Sequence, residues 1–377
     1  MRDVRPKIER TARLTHVVRD LPALVPFIGP EAQERGRGKP FLARLGANES
    51  LFGPSPKAIR AMQDATLECW KYSDPECFEL RTAIAALHGV TPANIVIGEG
   101  IDGLLGLSVR IAADPGTPVV TSDGAYPTFN FHVAGQGARL IKVPFRDDHE
   151  DLQALLAAVV ETNARIVYVS NPNNPMGTWA GASALDDLIA RLPDGVLLLL
   201  DEAYCDTAPA SAIPRIDVAN GQVLRLRTFS KAYGLAGARI GYAIGAAPLI
   251  AHFEKVRNHY GINKMGQAGA LAAVQDQAYL ARAVTKIAAA RARIAAIARD
   301  NGLSPIASAA NFVTIDCFRD AAFAVRVLDQ LLERGVFARK PGVPPLDRCI
   351  RISCGLDEDL DALASVLPEA LRAAHEM

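Results

Sequence analysis

Seven short apolar runs constrain this chain more than any other feature. They lie at 95–97, 119–121, 140–143, 166–169, 196–200, 223–226 and 240–244. Several carry almost no polar alternation, and 196–200 is one Val followed by four Leu. A strand that is apolar on both sides must be covered on both faces, so helices have to pack above and below the sheet. Helical patterns at 152–160 and 184–192 lie between the runs. A further helix starts after Gly53-Pro54-Ser55, with Pro56 pre-set for its first turn. The pattern predicts an α/β layered domain with a largely parallel sheet.

Beyond residue 245 the character changes. Residues 246–301 are Ala-rich, helical in period and too long for one ordinary helix, with Gly261 and Gly266 as candidate breaks. From 304 onward short strands (311–316, 336–339, 350–354) alternate with helices (321–334, 357–375), which predicts a second, smaller α+β domain. A length of 377 residues also favours two domains over one core. Residues 1–40 hold nine basic and five acidic side chains with several prolines. They read as a solvated arm on the body or one that reaches a partner subunit.

Composition excludes several classes. Half the residues are hydrophobic, so the chain is not disordered. Forty-one basic residues balance 41 acidic ones, which argues against a nucleic-acid partner. No run of 18 apolar residues occurs and the first twenty residues contain no apolar stretch, so neither a membrane span nor a secretory signal is expected. The six cysteines form no CxxC pair, which predicts reduced thiols and a cytoplasmic protein. No His or Cys spacing suits a metal.

Gly98-Glu99-Gly100-Ile101-Asp102-Gly103 fits GxGxxG, with Asp123 about 20 residues on, the spacing of a dinucleotide fingerprint. Its strand comes late in the chain and after a helix, which suits a nicotinamide site poorly. The general physics survives: glycines let backbone approach a phosphate, and helix N-terminal N–H groups bind it.

Four later features fall together. Ser170-Asn171-Pro172-Asn173-Asn174-Pro175-Met176-Gly177, Asp201-Glu202-Ala203-Tyr204 and Thr228-Phe229-Ser230-Lys231 each follow an apolar run directly, and Arg239 opens another. Open α/β sheets bind ligands beyond the C-terminal ends of their strands. One polar strand end is an ordinary loop, whereas three supplying Asn, Asp with Tyr, and Ser with Lys make a site.

These motifs resemble the fold-type I pyridoxal-phosphate aminotransferases, and among them the histidinol-phosphate aminotransferase family. The likeness runs from Leu45-Gly46-Ala47-Asn48-Glu49-Ser50 to Arg351-Ile352-Ser353-Cys354-Gly355, and Thr228 through Gly241 is its most specific string. It implies an arm at 1–45 joining the small domain, a large cofactor domain at 46–255 with a mostly parallel seven-stranded sheet, and an interdomain helix with the small domain at 256–377. The implied cofactor is pyridoxal 5'-phosphate.

Lys231 would condense with the cofactor aldehyde and then move the substrate proton, which needs an amine pKa brought down by burial and nearby cations. Asp201 would keep the pyridine nitrogen protonated. Asn174 and Tyr204 would bond the ring's phenolate oxygen, and Tyr126 would stack on its face. Gly100, Ile101 and Asp102 would give N–H groups to the phosphate, Thr228 and Ser230 hydroxyls, and Arg239 a guanidinium. Tyr72 would reach that phosphate from the neighbouring subunit, so the resemblance implies a homodimer with shared sites. Arg351 would grip a substrate carboxylate, Arg339 a second anionic group, and Asn48 would stand near substrate.

The resemblance implies exchange of an amino group between a small-molecule donor, glutamate by preference, and a keto acceptor, with a substrate of the histidinol-phosphate type. Two departures bear on that substrate. Met176 replaces the usual Thr, which touches packing. Pro26-Phe27 stands where a phenol often lies near substrate, and Phe27 cannot donate a hydrogen bond. An aromatic or other amino acid as substrate, a threonine-phosphate-type decarboxylase, a non-catalytic cofactor binder and a nicotinamide dehydrogenase remain the alternatives.

Overall fold

The computed structural model describes residues 12–19, 21–22 and 28–376. Its strands are β1 (Ala43–Arg44), β2 (Ile95–Gly98), β3 (Pro118–Ser122), β4 (Arg139–Val143), β5 (Ile166–Ser170), β6 (Leu197–Asp201), β7 (Val223–Thr228), β8 (Gly241–Ile244), β9 (Ser304–Pro305), β10 (Phe312–Asp316), β11 (Val336–Phe337) and β12 (Cys349–Ser353).

All seven apolar runs enter one sheet of order β2-β8-β7-β6-β5-β3-β4. Pairing is parallel from β4 across to β7, and β8 runs antiparallel to both its neighbours. The unbroken apolar runs have the cause anticipated for them. Leu197 and Leu199 enter the core on one face, with Phe129, Leu104 and Phe253. Leu198 and Leu200 enter the core on the other, with Leu155, Val159 and Leu188. Each such buried side chain contributes about 1.5–3 kcal/mol, so each of the four leucines of β6 stabilises the sheet. Asp151 caps helix Leu152–Thr162 by accepting from Ala154 N, and Ser55 caps helix Pro56–Thr66 by accepting from Lys57 N.

A second core surrounds the three-stranded sheet β12-β10-β9 and the helices Gln277–Asp300, Ala321–Glu333 and Asp357–Glu376. Ala43 and Leu45 belong to this core, and β1 pairs with β11. The expected strand at 336–339 stops at Phe337. Arg339 instead makes a separate antiparallel bridge to Arg351.

The Ala-rich stretch is broken as expected, but not at Gly266. It divides into helices Ala247–Phe253, Lys264–Val274 and Gln277–Asp300. Gly266 breaks nothing: it lies inside the second helix, where a Cβ would come within 2.9 Å of Ala238 O and 2.8 Å of the Ile240 side chain. Close approach of helix to strand requires glycine there. The arm's Pro26-Phe27 lies outside the described residues. Its helix Pro30–Arg37 is tied to the body by Glu34, which accepts from Phe41 N and pairs with Arg44. Among the described residues no helix is long and apolar enough to cross a membrane.

Candidate active site

Parallel strands in register bring their C-terminal residues side by side. Ser170 at the end of β5 pairs with Asp201 at the end of β6, and Asp201 pairs with Leu226 of β7. The chain beyond each strand opens into a cavity of about 230 Å³. Ile101, Asp102, Tyr126, Asn174, Asp201, Tyr204, Thr228, Ser230, Lys231 and Arg239 all line it.

One end of the cavity is built for an anion. Helix Gly100–Ala112 opens there, so its first N–H groups have no intrahelical acceptor. Gly100 has φ +76°, and a Cβ on it would lie 2.5 Å from Arg239 Nη2. Only glycine lets that guanidinium sit against the helix start. Arg239 donates to Ser230 Oγ at 3.4 Å and to Ala236 O at 3.0 Å, and Ser230 N donates to Thr228 Oγ1 at 3.0 Å. Hydroxyls, amides and one cation converge without a carboxylate salt bridge to Arg239 among the described residues. Asp102 turns its carboxylate to His132 Nε2 at 2.9 Å.

Lys231 stands in the middle. Its Nζ donates to Asn48 O at 3.0 Å and lies 5.7 Å from the centre of the Tyr204 ring. Burial pushes the amine down to about 8, the Arg351 and Arg239 charges push the same way, and Glu49 and Asp201 oppose them. Asp201 is buried and accepts from Tyr168 OH at 2.7 Å and from Ala203 N at 2.9 Å. Burial raises its carboxyl to about 6, against the pull of those two bonds. Tyr168 is itself fixed by stacking on Phe129, 4.6 Å between ring centres. Tyr204 is held from Asn48 Nδ2 at 3.3 Å, and burial pushes its phenol up.

Arg351 comes from β12 of the smaller sheet and is buried. It donates to Asn174 Oδ1 at 2.5 Å and to Gly46 O at 3.3 Å, while its buried Nε has no partner. Burial, with the Arg339 charge, lowers it to about 10. Among the described residues no carboxylate pairs with this buried guanidinium, which is costly, and an anionic ligand would relieve that cost. Arg339 donates to Ile28 O at 3.0 Å and is not among the residues lining the cavity. Asn48, in the left-handed region at φ 55°, joins both parts: Ser353 Oγ accepts from its backbone N–H at 2.9 Å and donates to its Oδ1 at 3.0 Å.

Tyr72 lies apart from this cavity. It is exposed and packs on Tyr260 at 4.7 Å between ring centres. Asp123 is not a ribose-binding acid in waiting but pairs with Lys142 at 2.9 Å. Met176 is fully buried in the main core, as a packing substitution should be.

Two carboxylates escaped the sequence reading. Glu202, next to Asp201, is buried and pairs with Arg225 and, at 2.8 Å, with Arg227. Alternating Arg in an otherwise apolar strand was the available signal. Glu150 lies in a polar loop that nothing in the sequence distinguishes.

The comparisons with known proteins agree with this geometry. Residues 42–367 match the model of the family described as aminotransferase class I and II. The histidinol-phosphate aminotransferase of Erythrobacter litoralis is 35% identical, covering 99% of this chain and 100% of its own. That of Moorella thermoacetica is 34% identical over 90% of this chain and 88% of its own. A crystal structure of histidinol-phosphate aminotransferase from Sinorhizobium meliloti, in complex with pyridoxal-5'-phosphate, superposes with a TM-score of 0.94 at 51% identity. It covers 97% of this chain and 99% of its own. A layered sheet, three polar strand ends around one lysine and these relatives point the same way: the chain belongs to the class I and II aminotransferases, within their histidinol-phosphate aminotransferase family.

Proposed function

We propose that this chain uses pyridoxal 5'-phosphate to exchange an amino group between glutamate and the keto or aldehyde partner of a histidinol-phosphate-type amine. The carrying observation is Lys231 Nζ, set in the cavity with its amine lowered to about 8 and bonded to a carbonyl oxygen, Asn48 O. The residues fit the cofactor: the glycine-cradled helix start with Arg239 suits its phosphate, and buried Asp201 suits its ring nitrogen. Bound there, the cofactor supplies an aldehyde carbon and a conjugated electron sink.

The protein's residues do the rest. The helix start, Thr228, Ser230 and Arg239 hold the phosphate, and Tyr126 lies against the ring. Asn174 and Tyr204 stabilise the ring's oxygen anion. Arg351 orients the donor's anionic group by its planar fork, and Arg339 serves a second anion near it. Lys231 would take the proton from the substrate carbon and return it during the exchange, a task suited to an amine lowered to about 8. Asn48 steadies both Lys231 and Tyr204.

A half-reaction screen tests the substrate. Each donor is mixed with loaded enzyme and loss of the yellow absorbance is followed. Histidinol phosphate and glutamate are expected to bleach it quickly, and phenylalanine at the same concentration only weakly. Carbon dioxide release without a keto acid would instead mark a decarboxylase.

The reading includes a homodimer with shared sites, in which Tyr72 of one subunit reaches the phosphate held by the other. What supports it is an apolar patch: Leu67, Trp70 and Tyr72 are each 79–80% exposed, beside exposed Phe78 and Tyr260. Exposed aromatics clustered in this way mark an interaction surface. Sedimentation velocity of the intact protein is expected to give a dimer, and Tyr72→Phe should weaken cofactor binding without dissociating it. A monomer with full activity would overturn this part.

A further inference from the structure

Behind the Asn-bearing wall of the cavity lies Glu150, in the segment between β4 and helix Leu152–Thr162. Its Oε1 accepts from the Asn173 side-chain amide at 2.6 Å, and Ser170 N reaches its two oxygens at 3.3 and 3.4 Å. Both partners belong to the cavity wall. Ser170 lines it, and Asn173 directly precedes Asn174, which lines it too. Asn173 is the hub of this wall: it accepts from Met176 N at 3.1 Å through its side chain and from Gly177 N at 2.9 Å through its backbone, and donates to Thr178 O at 2.8 Å. With its oxygen committed to Met176 and its amide to Glu150, the Asn173 side chain has one orientation.

Glu150 is anchored in turn. Asp148, two residues earlier, takes Arg348 Nη2 at 2.8 and 3.0 Å, and its carbonyl accepts from Thr178 Oγ1 at 2.8 Å. Asp147 and Asp148 both have positive φ, 49° and 63°. Non-glycine residues hold that conformation only where their surroundings enforce it. Arg348 also bonds Asp316 at 2.8 Å, so the segment is pinned to β10.

We propose that Glu150 is a positioning residue of the cofactor pocket: through Asn173 and Ser170 it fixes where Asn174 and the end of β5 stand against the bound cofactor. The inference rests on reading the cavity as the pyridoxal-phosphate site. Burial pushes the Glu150 carboxyl up to about 8, the Ser170 and Asn173 bonds oppose that, and the Asp201 charge adds to it. At neutral pH it is therefore mostly a neutral acid and adds no negative charge of its own beside Asp201. Glutamine then reproduces its shape and its accepting oxygen, whereas alanine removes both.

The test measures cofactor affinity and the visible circular dichroism of the loaded protein. Glu150→Ala is expected to weaken pyridoxal-phosphate binding about tenfold, the cost of a lost buried hydrogen bond, and to diminish the dichroic band per bound cofactor. Glu150→Gln should stay within about twofold of the parent on both readouts. Asn173→Ala cuts the same contact from the other side, together with its own bond from Met176 N, and should also weaken binding and diminish the band; it serves alone if Glu150→Ala does not fold. The loss in the double variant should be smaller than the sum of the two single losses, because both variants remove the Glu150–Asn173 bond while each also removes a contact of its own. Parent affinity and dichroism in Glu150→Ala or Asn173→Ala, equal damage in Glu150→Gln, or additive losses would each overturn the proposal. If the unmodified protein took up no cofactor, the pocket reading itself would fail, which is a separate outcome.

Discussion

Lys231→Ala is expected to abolish transamination, with turnover falling by at least about 10⁴-fold. Among the described residues Lys231 is the one lysine lining the cavity. The variant should still bind the cofactor through the phosphate cradle, without the covalent link, and its absorbance should no longer change when donor is added. The same residue makes a second, opposite expectation in the cofactor-free protein. Its amine is lowered from 10.5 to about 8, chiefly by burial and then by the Arg351 charge. The unfolded chain therefore binds more protons than the folded one between about pH 8 and 10.5, and stability rises with pH across that window. Below pH 8 the enclosed charge is a net cost. Lys231→Met, which keeps the stem and removes the charge, should melt higher than the parent at pH 7, and the gap should close as pH rises past about 10. Unchanged turnover in Lys231→Ala would overturn the assignment of the site.

Asp201→Asn carries the next largest expectation. Asparagine keeps the shape and can still face Tyr168 and Ala203, but it has no charge to hold a proton on the ring nitrogen of the bound cofactor. Losing one partner of a buried charge pair costs about 3–5 kcal/mol. At about 1.4 kcal/mol per decade, turnover should fall by about 10²- to 10⁴-fold. Here too the cofactor-free protein should respond the other way. Burial raises the Asp201 carboxyl from 3.8 to about 6, so the folded state binds the extra proton between those values. Stability then declines as pH rises from about 4 to 6, and the full cost stands above pH 6. Asp201→Asn should be the more stable protein at pH 7 and should lose that part of the slope. A variant that kept both turnover and the slope would show Asp201 to be a helix-side spacer instead of a charge partner.

How much of this was legible depended on whether a signal was local. The β6 run was readable because four consecutive leucines have one explanation, burial on two faces. The three polar strand ends were readable because a parallel sheet gathers C-terminal ends whatever the loops do. Gly266 was misjudged because a glycine in a helix signals either a break or a close approach, and only the neighbouring Ile240 decides. The strand at 336–339 was overextended for a similar reason: Arg339 continues the extended pattern, yet its backbone partner is Arg351, not the β1 edge. Glu150 was invisible because its partners lie 20 and 23 residues away and become neighbours only once β5 is folded. Tyr72 could be singled out by resemblance alone, since nothing around it in its own chain explains it.

The bridge between Arg339 and Arg351 has a consequence for recognition. Arg351 N donates to Arg339 O at 2.6 Å, so two arginines stand directly opposite each other across an antiparallel pair. Residues so placed start their side chains on the same face, a few ångströms apart. The Arg339 charge is, after burial, among the causes that lower Arg351. The main-chain pairing thus roots two cationic side chains at facing positions. On the proposed substrate-binding roles of the two residues, a ligand bearing two anionic groups could meet both cations, whereas a ligand with one would meet only one of them. On that proposal, a pair of main-chain hydrogen bonds would help set the distance between the anionic groups that the site accepts.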